Sequence, residues 1–217
     1  MKLFLDTALI EDVDAALATG LVEGLTTNPS LMAKSGQPMM AQVAALAARV
    51  PGPVSAEVGA LNTEGMIAEG KALAAIARNV VVKLPLTEAG LQACQALRYA
   101  DIKTNVTLCF SAAQALCAAK ARATYVSPFL GRVDDNGGDG LQMLREIRTI
   151  FDRMDTSTQI LAASVRTVDH VVGAAVAGAD CVTLPPNIFH ALYQHPLTDK
   201  GLAAFTADWE KAGLSIL

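Results

Sequence analysis

Residues 80–109 read VVVKLPLTEAGLQACQALRYADIKTNVTLC, and this stretch contains the unit from which the fold is built. A β-branched run gives way to a segment of helical spacing that opens on Thr87 and Glu88, and a second β-branched run, TNVTLC, follows. The first run is apolar enough to be buried on both faces, as a parallel strand covered by helices would be. It nonetheless ends in Lys83, and an unpaired ammonium is costly to bury.

The same alternation runs through the whole chain. Strand candidates are KLFLD (2–6), GLTT (24–27), VSAEV (54–58), VVVKL (80–84), TNVTLC (104–109), TYVSP (124–128), QILAAS (159–164) and CVTLP (181–185), eight in all. Between them lie helical stretches such as LIEDVDAALATG, MMAQVAALAARV, TEGMIAEGKALAAIARN, SAAQALCAAKAR, GLQMLREIRTIFDRM and TVDHVVGAAVAGA. Several open on Thr or Ser, which cap exposed N–H groups, and several end near Gly. Strict βα alternation makes the strands parallel, and eight such units close into a (β/α)8 barrel. A doubly wound open sheet is the alternative, but no Gly-rich fingerprint follows the first strand as a dinucleotide site requires. Residues 1–217 are therefore read as one barrel domain, α/β in class, with 197–217 a C-terminal helical extension. In its LAAFTADWEKAGLSIL segment, Phe205 and Trp209 at i, i+4 make an apolar face, expected to pack on this barrel or on a neighbouring subunit.

Composition narrows the function. With 52% hydrophobic and 18% charged residues, the 217-residue chain can bury a large single core. A net charge of −4 and the lack of a dense Lys/Arg stretch argue against a nucleic-acid partner. No apolar run approaches the roughly 20 residues of a membrane helix, and the acidic residues at 6, 11, 12 and 14 are foreign to a signal peptide. Cysteines 94, 109, 117 and 181 lack CxxC spacing, so a reduced, cytoplasmic protein without structural zinc is expected.

A barrel of this kind builds its site where the strands end. The strands finish on or near Asp6, Thr27 and Asn28, Glu57, Lys83, Asn105 and Thr107, Ser127 and Phe129, and Ser164; Arg132 and Arg166 follow the sixth and seventh, and only the eighth supplies nothing chargeable. Residues two apart share a face, so Val81 pairs with Lys83, Ser55 with Glu57, Asn105 with Thr107 and Ser127 with Phe129. Each has a plainer reading. Asp6 can cap the next helix, Asn28 before Pro29 can be turn chemistry, Glu57 can be a structural partner of Lys83, and Thr107 or Ser127 can bond local backbone. Arg132 can pair with Asp134 or Asp135, while His170, His190 and His195 read as surface or packing residues. The conjunction favours chemistry. Burial beside three valines is expected to favour the neutral amine, which adds to a ketone to give a Schiff base and so labilises an adjacent C–C bond. Neighbouring carboxylates would move protons, and the two arginines suit a phosphate.

The blocks LFLDT, GLTTNPS, VSAEV with TEGM, VVVKLPLTEAGL, TNVTLCFSAAQALCAAKA, YVSPFLGRVDD and ILAASVRT resemble, in order and along nearly the whole chain, the small transaldolase family that includes fructose-6-phosphate aldolase. The resemblance implies Lys83 as the Schiff-base lysine, Asp6 as the residue moving a proton during C–C cleavage, and Glu57 and Thr107 as holders of a catalytic water. It implies Asn28, Asn105 and Ser127 as contacts of a dihydroxyacetone unit, with Thr27 and Phe129 also in the substrate site, and Arg132, Ser164 and Arg166 as the phosphate set. No metal or organic cofactor is implied. The expected partners are sugar-phosphate substrates and other copies of the chain, in a homo-oligomer (pentamer or decamer) with the C-terminal helix reaching a neighbour. Glu57 and Phe129, where the aldolase branch carries Gln and Tyr, place the sequence with the transaldolase-like branch, as do Asn105 and Ser127. The nearest alternative is an aldolase releasing free dihydroxyacetone; a non-catalytic sugar-phosphate binder is another.

Overall fold

Eight parallel strands pair in chain order, and the last closes on the first. They are Lys2–Asp6 (β1), Gly24–Thr26 (β2), Val54–Glu57 (β3), Val80–Pro85 (β4), Thr104–Cys109 (β5), Tyr125–Pro128 (β6), Gln159–Ala162 (β7) and Cys181–Leu184 (β8). The computed structural model describes residues 1–216; Leu217, the last residue of the expected extension, lies outside the described residues. The expected (β/α)8 barrel is found, and each strand end falls within 2 residues of its expected place.

The helices are Ile10–Leu17 (α1), Pro29–Ser35 (α2), Met39–Arg49 (α3), Thr63–Ala74 (α4), Glu88–Tyr99 (α5), Ala112–Lys120 (α6), Leu130–Asp135 (α7), Gly140–Asp152 (α8), Val168–Val176 (α9), Pro186–Ala191 (α10) and Pro196–Ala212 (α11). Short α2, α7 and α10 were not anticipated. They follow β2, β6 and β8 directly and shape the rim at the strands' C-terminal ends. The cause at α2 is local: Pro29 presets the first turn, and the Asn28 side chain accepts from Leu31 N at 3.0 Å.

Two apolar clusters hold the barrel. The larger fills the layer between strands and helices; the smaller, Phe4, Val81, Tyr125, Leu161 and Cys181, plugs the interior. Phe4 meets Tyr125 edge-on with centroids 6.0 Å apart. Gly24, its register partner, leaves room for the Phe4 ring, since a Cβ there would lie 2.6 Å from it. Above this plug the inward positions turn polar.

The C-terminal helix, α11, lies close to the expected bounds of the extension. It starts at Pro196, capped by the His195 side chain on Leu197 N, and none of its residues is buried. Phe205 is 68% and Trp209 42% exposed, so the apolar face does not pack on its own barrel. Among the described residues, no helix is long and apolar enough to cross a membrane.

Candidate active site

Lys83 lies two residues beyond Val81 on the same face of β4, so its stem rises from the interior plug into a cavity of about 460 Å³ at the C-terminal rim. Parallel register sets it level with Glu57 on β3 and Asn105 on β5. The amine is 3.0 Å from Glu57 Oε2 and donates to the Thr27 carbonyl at 3.0 Å, and the residue is only 6% exposed. Of the three valines only Val81 lies in the plug beneath the amine, Val80 and Val82 facing the outer layer, and the amine's immediate partners are a carboxylate and a carbonyl.

Asp6 faces the same cavity from β1. Burial pushes its carboxyl above the ordinary carboxylate range; the hydroxyl of Thr26 and the charge of Lys83 pull it back, and the charge of Glu57 adds to the rise. Thr26 Oγ1 donates to Asp6 Oδ1 at 2.6 Å and lies 2.7 Å from Thr183 Oγ1. If that single hydrogen goes to Asp6, Thr183 must donate to Thr26. Thr26 and Thr183 line the cavity, and neither was picked out from sequence. Thr107 Oγ1, also on the cavity wall, is buried without a hydrogen-bond partner among the described residues, the situation of a group able to take water or a ligand. The strand carrying it shifts register against β6 between Val106 and Cys109, with Leu108 at φ 60°, and this bulge brings both Thr107 and Leu108 to the cavity.

Two expected residues sit differently. Thr27 does not reach the cavity: its side chain turns to the Ser55 carbonyl at 2.8 Å, and only its own carbonyl touches Lys83. The inward phase of β2 runs through Gly24 and Thr26, which leaves Thr27 pointing out. Asn105 is fully buried and committed at both ends, donating to Ser55 Oγ at 3.2 Å and accepting from Ser127 Oγ at 2.7 Å. Ser127 lines the cavity above it. Asn28 also lines it; its Oδ1 is used in capping, so its Nδ2 is what it can offer a ligand.

Phe129, Arg132, Ser164 and Arg166 form the far wall. Phe129 packs edge-on against Phe110 at 5.6 Å, and the Arg132 guanidinium lies 5.1 Å above its ring. Arg132 forms no ion pair among the described residues. Asp135 instead pairs with Arg166 at 2.8 Å, and Asp134 with His170 at 3.0 Å. Two guanidinium groups thus line one cavity with one amine and two carboxylates.

Together these features define a (β/α)8-barrel enzyme whose lysine and acids converge at the C-terminal rim. A family model described as transaldolase/fructose-6-phosphate aldolase matches residues 3–216, and the chain belongs to that family. It is 58% identical over 217 residues, the full length of both chains, to a protein of Phenylobacterium zucineum (strain HLK1) named "Probable transaldolase". Proteins with the same name from Caulobacter vibrioides (strain NA1000 / CB15N) and Maricaulis maris (strain MCS10) are 57% and 58% identical, again over the full length of both chains.

Proposed function

We propose that the protein is a transaldolase moving a dihydroxyacetone unit from a ketose phosphate, sedoheptulose 7-phosphate or fructose 6-phosphate, to an aldose phosphate through a Schiff base on Lys83. The observation that carries this reading is Lys83 Nζ, 3.0 Å from Glu57 Oε2, in one cavity with Asp6 and the unpartnered Thr107 hydroxyl. To attack the ketose carbonyl the amine must shed a proton, and Glu57 is placed to take it. The carbinolamine then loses its hydroxyl as water, and Glu57 with Thr107 holds that water. In the resulting iminium, Asp6 accepts the proton of the C4 hydroxyl, the C3–C4 bond breaks, and its electron pair moves into the iminium to give an enamine. Burial raises the affinity of Asp6 for that proton, which suits a base. The first aldose leaves, the enamine adds to the acceptor aldehyde as Asp6 returns the proton, and hydrolysis frees Lys83.

Ser127, held by Asn105, and Asn28 would bond the hydroxyls of the three-carbon unit, while Arg132, Ser164 and Arg166 would take the phosphate. Thr27 acts here through its carbonyl, which orients the amine. Phe129 presents no hydroxyl to activate water, which favours transfer to an acceptor over release of free dihydroxyacetone. Borohydride reduction with fructose 6-phosphate, followed by peptide mass mapping, tests the proposal: a reduced three-carbon adduct on Lys83 is expected, and an unmodified lysine overturns it.

A further inference from the structure

We infer that His170 is a positioning residue that fixes Arg166, and with it the cavity's affinity for the phosphate of its substrate; this rests on the phosphate role proposed for the two arginines. The loop between β7 and α9 carries Arg166 and needs an external hold, because Ser164, two residues earlier, is held at φ 56°, a left-handed conformation unfavourable for a residue with a side chain.

His170 supplies that hold. Thr167 caps α9 by accepting from His170 N at 3.1 Å, which sets the histidine in the first turn, facing back to the loop. There its Nδ1 accepts the backbone N–H of Arg166 at 3.2 Å, so the ring proton sits on Nε2, which faces Asp134 Oδ2 at 3.0 Å. Asp134 is itself anchored, its Oδ1 accepting from Gly140 N at 2.7 Å. The chain Gly140, Asp134, His170, Arg166 thus ties the loop after β7 to the turn between α7 and α8. Gly131 closes the arrangement from the side, since a Cβ there would lie 2.6 Å from Arg166 Cγ.

The competing restraint is the Arg166–Asp135 ion pair. Its side chains are 53% and 57% exposed, and an ion pair so open to solvent contributes little and is screened by salt. The imidazole is only 17% exposed, and its link holds the Arg166 backbone from which the guanidinium extends.

The test compares fructose 6-phosphate with fructose as donors to one acceptor aldehyde, using the full-length protein. His170→Phe fills the space without offering an acceptor. It should raise KM for fructose 6-phosphate roughly fivefold, the loss of one neutral hydrogen bond, while kcat and the kinetics with fructose stay level. His170→Asn, whose amide oxygen can take the place of Nδ1, should restore most of the affinity. Asp134→Ala, which frees the ring without touching the Arg166 amide, provides an independent route to the same KM shift should the phenylalanine variant not fold. An unchanged KM for fructose 6-phosphate, equal losses with both donors, or an asparagine variant no better than phenylalanine overturns the inference. Equal KM values for the two donors in the unaltered protein would instead overturn the phosphate reading beneath it.

Discussion

Glu57 stands opposite Lys83 in the β3–β4 register and meets its amine at 3.0 Å, so the two groups that exchange a proton in the proposed reaction are fixed by backbone pairing rather than by a mobile loop. Glu57→Met keeps close to the side chain's length and removes both the proton acceptor and any group able to hold water, which the Gln of the aldolase branch would still offer. Imine formation, followed as borohydride-trapped protein against time, should slow by about a hundredfold or more while the circular dichroism spectrum is retained. Trapping at the original rate would remove Glu57 from the proton path.

Asp6 should be costly to stability and necessary for turnover. Its carboxyl binds a proton more tightly in the folded chain than in the unfolded one, so folding is favoured below the ordinary value of 3.8 and weakened as pH rises through the elevated folded value. Asp6→Asn keeps an oxygen for the Thr26 hydroxyl and removes the charge. At neutral pH the variant should melt higher than the parent, with a gap that grows with pH over that window and then levels off, while C–C cleavage falls by about a hundredfold or more. A variant that melts lower at neutral pH would contradict the burial account.

At Phe129, introducing a hydroxyl should shift the balance between two outcomes of one enamine. Phe129→Tyr is expected to raise the release of free dihydroxyacetone relative to transfer, read by assaying dihydroxyacetone with and without an acceptor aldose phosphate. An unchanged ratio would mean that this ring does not govern water at the site.

We propose that exposed Leu197, Leu202, Phe205 and Trp209 of α11 are covered by a neighbouring copy in the homo-oligomer that the family resemblance implies. Phe205→Glu should yield smaller species in sedimentation velocity. The chain's single tryptophan should also emit at longer wavelength in that variant, because Trp209 loses its cover. A parent protein that sediments as a monomer would end the proposal.

Much of this architecture was legible because parallel barrel strands repeat one apolar code eight times between helices of uniform spacing. Lys83, Glu57, Asp6 and Thr107 stood out as polar groups at the ends of those runs. The phase of β2 did not: it has three residues, and the pair Thr26–Thr27 offers no hydrophobic contrast to tell inside from outside. Counting alternate residues from Gly24 would have selected Thr26. Thr183 stands two residues from Cys181 on the plugged face, but its strand carries no charged or amide group to mark that end as part of a site. His170 gave little signal, since Arg166 lies only four residues away but is met through a backbone N–H, and Asp134 reaches it only through the fold.

The aromatic and sulfur-bearing stopper of Phe4, Tyr125 and Cys181 leaves no way through the bottom of the barrel. Under the proposed reaction, donor and acceptor must therefore share one doorway, and the first aldose has to depart before the second can enter. The kinetic consequence is a ping-pong pattern: parallel double-reciprocal lines when the two substrates are varied against each other.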